Sequence, residues 1–148
     1  TEQATTSGTT FTFSSIPSGT TMIVMMFGGV SSDGTDFSVT IGDSGGLETS
    51  GYTSGANWVQ AGDQNAITST SAFIIDSLGS GTVLNGSLIL TLKDSSNFDW
   101  VASHSLGDSS GNTAALSGGG HKSLSAELTQ ISLAGGTFDA GAVNIAYM

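Results

Sequence analysis

Apolar residues in this chain come in short runs that alternate with polar ones, and glycine, serine or aspartate interrupts nearly every run. A period of two places one set of side chains on one face of an extended strand, whereas a helix needs a repeat near 3.6. In "TFTFSSI", Phe11 and Phe13 share a face, and Ile16 stands just before the turn "PSG". The same alternation sets Phe37, Val39 and Ile41 together in "DFSVTIG", and Leu88, Leu90 and Leu92 together in "SLILTLK". It recurs for Phe98, Trp100 and Ala102 in "NFDWVAS", and for Val143, Ile145 and Tyr147 in "AVNIAYM". "SAFIID" at 71–76 is a compact strand candidate, and "KDSS" at 93–96 reads as a hairpin connection. About eight strands at regular spacing predict an all-β protein, an antiparallel β-sandwich that is jelly-roll-like.

Two stretches depart from simple alternation. "TTMIVMMFGGV" is apolar on both faces, which suits a strand buried centrally or at a subunit contact. In "KSLSAELTQISL", Leu124, Ala126 and Leu128 alternate, while Ile131 and Leu133 follow the opposite phase. A β-bulge near Thr129 and Gln130 reconciles the two halves. A short helix is the alternative, because Leu124, Leu128 and Ile131 also fit helical spacing. Residues 1–10, "TEQATTSGTT", offer nothing to bury and are expected to form a flexible N-terminal segment ahead of a single domain over 11–148.

The length of 148 residues fits one domain. Twelve carboxylates face only two cations, Lys93 and Lys122, for a net charge of −10. Binding nucleic acid through its phosphates needs several basic groups, and an anionic bilayer repels such a chain, so neither is an expected partner. Without cysteine there is no disulfide framework and no thiolate chemistry. The longest apolar run, "MIVMMF", is far below the roughly 20 residues of a membrane-crossing helix. No basic leader precedes it, and a first residue of threonine suggests a processed product or an excised segment.

"GDSGG" at 42–46 matches the letters around the nucleophile of chymotrypsin-like proteases. Those enzymes place their histidine and aspartate before the serine, whereas His104 and His121 both follow Ser44 here. The motif is read instead as a turn in which Gly42, Gly45 or Gly46 takes a conformation other residues resist. Asp33, Asp36 and Asp43 lie close in sequence and are the candidate calcium ligands. Solvated turn aspartates are the simpler reading, and no cofactor is expected. The two histidines lack an evident third metal ligand and read as polar surface or turn residues, with His121 following a flexible "SGGG". Glu48 and Glu127 are the only plausible glycosidase glutamates, and nothing in the sequence places them together. Among Tyr52, Trp58, Trp100 and Tyr147, Trp100 belongs to an alternating strand and so to the core. Tyr52 and Trp58 are the candidate ligand-binding rings, and Trp58, within "SGANWVQAGDQN", is the better candidate for exposure.

Together, "FTFSSIPSG", "GDSGGLETSGY", "WVASHS", "SGGGHKSLS" and "FDAGAVNIAY" resemble a structural module of tailed-bacteriophage virion proteins, notably from marine and cyanobacterial phages. The resemblance runs from about Phe11 to Tyr147. It implies a non-enzymatic virion component (tail fibre, capsid fibre or decoration domain) that serves attachment or assembly, and it transfers no catalytic residues. Other virion proteins, or a host-surface glycan or receptor, are then the expected partners. A secreted cell-surface or carbohydrate-binding β-sandwich is the alternative. Methionines 22, 25 and 26 are adaptable packers, and a homo-oligomer, a trimer for choice, is expected to bury the "MIVMMF" strand.

Overall fold

The computed structural model describes all residues except 35, 77 and 112. Among the described residues there are thirteen strands and no helix, arranged as two antiparallel sheets packed face to face. The larger sheet has eight strands, in the order β1 (Gln3–Ala4), β13 (Phe138–Tyr147), β3 (Met22–Ser32), β9 (Leu84–Asp94), β10 (Asp99–Asp108), β11 (Ala115–Ser123), β6 (Thr53–Gln60) and β7 (Asp63–Ser69). The smaller sheet runs β2 (Thr10–Phe13), β12 (Gln130–Ala134), β4 (Asp36–Asp43) and β5 (Gly46–Leu47), and β8 (Phe73–Asp76) also pairs with β4.

The sandwich expected from the alternation is therefore present, with more strands than the eight expected. The additional ones carry little apolar signal: β1 and β5 have two residues each, and β7 is almost wholly exposed. The alternating residues do face inward. Phe37, Val39, Ile41, Leu88, Leu90, Trp100 and Val143 are all buried in one core between the sheets.

The strand that is apolar on both faces lies third in the larger sheet, between β13 and β9. Ile23, Met25 and Phe27 point into the core, Met22 and Val24 are half-buried, and Met26 is 38% exposed on the opposite face. Met25 is thus committed to the interior of the chain itself.

Three local expectations are corrected. Residues 1–10 are not outside the fold: β1 pairs with β13, and Thr5 is fully buried, its hydroxyl donating to Ala140 O at 2.6 Å. Backbone hydrogen bonding and a single methyl suffice to dock a segment that has no large apolar residue. The stretch 124–129 is neither a bulged strand nor a helix, but the passage by which the chain leaves β11 and enters the other sheet at β12. Leu124 and Leu128 are buried along that passage, which explains their apolar character without any periodic element. The "SGGG" run is not flexible either, since Gly118, Gly119 and Gly120 lie in mid-strand between β10 and β6.

The glycine run has a steric cause. A Cβ on Gly118 would stand about 2.5 Å from both Gly55 O and the His104 ring, and one on Gly120 would meet Thr53 O at 2.6 Å. At Gly118 and Gly120, strand β11 thus sits closer to its neighbours than a Cβ allows. Gly118→Ala is expected to destabilise the fold by about 1–3 kcal/mol through overpacking, read as a lower urea midpoint at unchanged slope.

Candidate functional site

The "GDSGG" turn joins β4 to β5 and anchors a polar knot between the sheets. Asp43 Oδ1 accepts from Gly45 N at 2.7 Å, and its Oδ2 accepts from the Ser125 hydroxyl at 2.6 Å. Glu48, just past β5, accepts from Ser125 N at 2.9 Å and from the Ser125 hydroxyl at 3.1 Å, and pairs with the Lys122 ammonium. That ammonium also lies over the Tyr52 ring, 5.5 Å from its centroid. The Tyr52 hydroxyl accepts from Ile41 N at 2.9 Å and donates to Glu48 O at 2.9 Å.

Glycine is required in this turn for two different reasons. Gly46 adopts φ 126°, and a Cβ on Gly42 would run into the Gly46 backbone. Ser44 is exposed at the tip of the turn, remote in topology from the histidines, which sit on β10 and β11 of the other sheet.

Two carboxylates therefore flank one hydroxyl, a pairing of Asp43 with Glu48 that the sequence did not suggest. The bond from Ser125, helped by Gly45 N, holds Asp43 below the usual carboxylate range despite its burial. For Glu48 the effect of burial is outweighed by the bonds from Lys122 and Ser125, and its value is also lowered. Neither is held protonated near neutrality, as a general acid on a glycosidic bond must be. Glu127 is engaged elsewhere, accepting from Ser18 Oγ at 3.0 Å and Gly19 N at 2.7 Å.

The proposed binding rings are not surface platforms. Tyr52 is 2% exposed and packs edge-on against Phe73 with centroids 5.0 Å apart, and Trp58 is 8% exposed because its strand alternates inward at that position. Trp100 is buried as expected, and Tyr147 is exposed near the end of β13. Two of the three candidate calcium ligands are far apart. Asp36 and Asp43 occupy opposite ends of the eight-residue strand β4, roughly 24 Å apart at the rise of a strand. Asp33 instead accepts from Thr137 N. Among the described residues no group of three or more potential metal ligands is found.

Each histidine has a definite environment. His121 pairs with Asp99, which also accepts from Lys93 Nζ at 2.8 Å and Ser123 Oγ at 3.1 Å. The bond from Lys93 is the main reason Asp99 lies below its ordinary range. His104 points into the core, contrary to the surface or turn position expected, and its Nε2 has no partner among the described residues. Desolvation pushes its pKa down to about 4.

One broad surface remains, the outer face of the larger sheet. The register places Asn144, Met26, Ser87, Ser105, Ser117, Asn57 and Ala66 in one row across seven strands. The next row is Ala146, Val24, Ile89, Ser103, Gly119, Gly55 and Thr68. A third runs Met22, Thr91, Val101, His121 and Thr53. None of these positions is a carboxylate, although the chain has twelve. The face divides into an apolar half, with Met26 and Ile89 each 38% and Val101 36% exposed, and a half of glycine, short hydroxyls and amide. Sequence reasoning missed this surface because its members come from seven strands. Only "MIVMMF" hinted at it.

Two predictions follow from the buried ionic groups. Lys122→Met should leave Glu48 beside Asp43 without its cation and destabilise the fold by about 1–3 kcal/mol at pH 7, measured by urea unfolding. The His104 pKa is lower in the folded chain than in the unfolded one, so the unfolded chain binds more protons between pH 6.5 and 4. Stability contributed by neutral His104 is therefore full above pH 6.5 and falls by on the order of 3 kcal/mol as the pH drops to about 4. His104→Leu should flatten the stability profile between pH 6.5 and 5, where the carboxylates contribute little slope.

Neither a protein-family model nor a curated protein matches the chain. Among solved structures it is similar to "CG-16, a homodimeric agglutinin from chicken liver", with 13% identity and a TM-score of 0.42 over 93% of this chain and 99% of that one.

Proposed function

We propose that this chain is a non-enzymatic β-sandwich module of a tailed-bacteriophage particle, serving attachment or assembly through the outer face of its larger sheet. The observation that carries the reading is that face: three rows of positions that include no carboxylate, with Met26, Ile89 and Val101 exposed, in a chain of net charge −10. Apolar patches exposed on an ordered sheet mark interaction surfaces. The resemblance of five stretches, from "FTFSSIPSG" to "FDAGAVNIAY", to phage structural modules supports the virion setting. The polar knot at Glu48 works in the same direction, because its reactive groups are engaged in holding the sheets together.

A second reading, a carbohydrate-binding domain, draws support from the other half of the face. There Asn57, Ser117, Ser103, Ser105, Thr53, Thr68 and His121 surround Gly119 and Gly55 and present donors and acceptors suited to sugar hydroxyls.

Peptide mass spectrometry of density-gradient-purified virions, encoded by the genome that carries this gene, tests the first reading. The chain is expected in the particle fraction, and gold-conjugated antibody is expected to label a defined site on the particles. Its absence from purified virions, together with saturable glycan binding that Asn57→Ala weakens tenfold or more, would replace the first reading with the second.

A further inference from the structure

We propose that two copies of this chain pair through the outer face of the larger sheet, about a two-fold axis that runs across the strands along the Val24–Ile89–Ser103 row. The inference rests on reading that face as the working surface, and it names the partner as a second copy of the chain.

Charge argues for a copy as the occupant. A partner with the same charge of −10 is repelled wherever carboxylates meet carboxylates, and the three rows from Asn144, Ala146 and Met22 across to Ala66, Thr68 and Thr53 hold none of the twelve. A basic partner would be drawn to the acidic remainder of the surface instead. Of the two lysines, Lys122 is buried against Glu48 and Lys93, paired with Asp99, lies beyond the three rows, so the rows themselves offer no lysine to an acidic partner either. An uncharged face is complementary to itself.

Shape and area agree. An axis across the strands returns each row position to the same strand, so the apolar half meets the apolar half and the glycine-serine half meets its counterpart. Val24, Ile89, Met26 and Val101 then bury one another. The lack of side chains at Gly55 and Gly119 and the short ones at Ser103 and Ser117 allow the sheets to approach at the spacing of about 10 Å usual for packed sheets. Seven strands about 4.8 Å apart, crossed by three rows, cover on the order of 600 Å² per copy. The total of about 1,200 Å² lies at the lower end of standard specific interfaces. Such a contact is isologous and closes after two copies, whereas a trimer would need two different patches on each chain.

Light scattering coupled to size exclusion, between about 5 and 300 μM, tests the pairing. Wild type is expected to rise from the chain mass of 14.8 kDa toward twice that value. Ile89→Glu and Val101→Glu each place a carboxylate on the face and should hold the protein at the chain mass. Ser44→Glu adds the same charge on the exposed turn and should still dimerise. Thermal unfolding of both face variants at 5 μM, matched to wild type, shows that they fold. A wild type that stays at the chain mass, a trimer, or a dimer indifferent to both face substitutions overturns the proposal. Particle incorporation of a monomeric wild type would leave the virion reading standing while this inference fails.

Discussion

The two sheets are tied at one end through Glu48. Its carboxylate takes the Lys122 ammonium from β11 of the larger sheet and both donors of Ser125, on the passage into the smaller sheet. Its carbonyl accepts from Tyr52, whose hydroxyl also takes the Ile41 amide of β4. Apolar packing between sheets is non-directional and tolerates sliding. A set of charged hydrogen bonds that spans both layers removes that freedom, because a displaced sheet would leave half-buried charges without partners. The approach of β4 to β5, which forces glycine at 42, belongs to the same construction.

This arrangement governs where charge can appear. Both lysines pair with carboxylates at one end of the larger sheet, Lys122 with Glu48 and Lys93 with Asp99, and His121 lies against Asp99 as well. The remaining carboxylates occupy turns, strand ends and the smaller sheet, where serine hydroxyls, side-chain amides or backbone amides meet several of them, as at Asp43, Asp76, Asp94 and Asp139. The middle of the larger sheet's outer face is left uncharged, with Met26, Ile89 and Val101 exposed on its apolar half. The interior of the same sheet carries its own conflict, since His104 must stay neutral to remain buried.

Much of the fold was legible from side-chain period alone. Phe37, Val39 and Ile41, or Leu88 and Leu90, can bury together only if their segments are extended, so strand identity and inward face followed directly. Elements held by backbone pairing escaped this reasoning. Thr5 is buried without any apolar run around it, and β7 completes a sheet edge with polar residues. Trp58 illustrates the opposite failure, in which a polar, glycine-rich neighbourhood suggested exposure while strand parity turned the ring inward.

By itself, the sequence determined an all-β sandwich, a net charge of −10 with only two lysines, and a "GDSGG" turn without the order of a protease triad. These follow from period, charge count and chain order, which are properties of a string. Only the tertiary structure decided that Asp43 and Glu48 share Ser125, that Tyr52 and Trp58 are interior, and that Met26, Ile89 and Val101 form one uncharged face. Each of these depends on the register between strands far apart in the chain, and a shift of one residue in any pairing would send the same side chains to the opposite face.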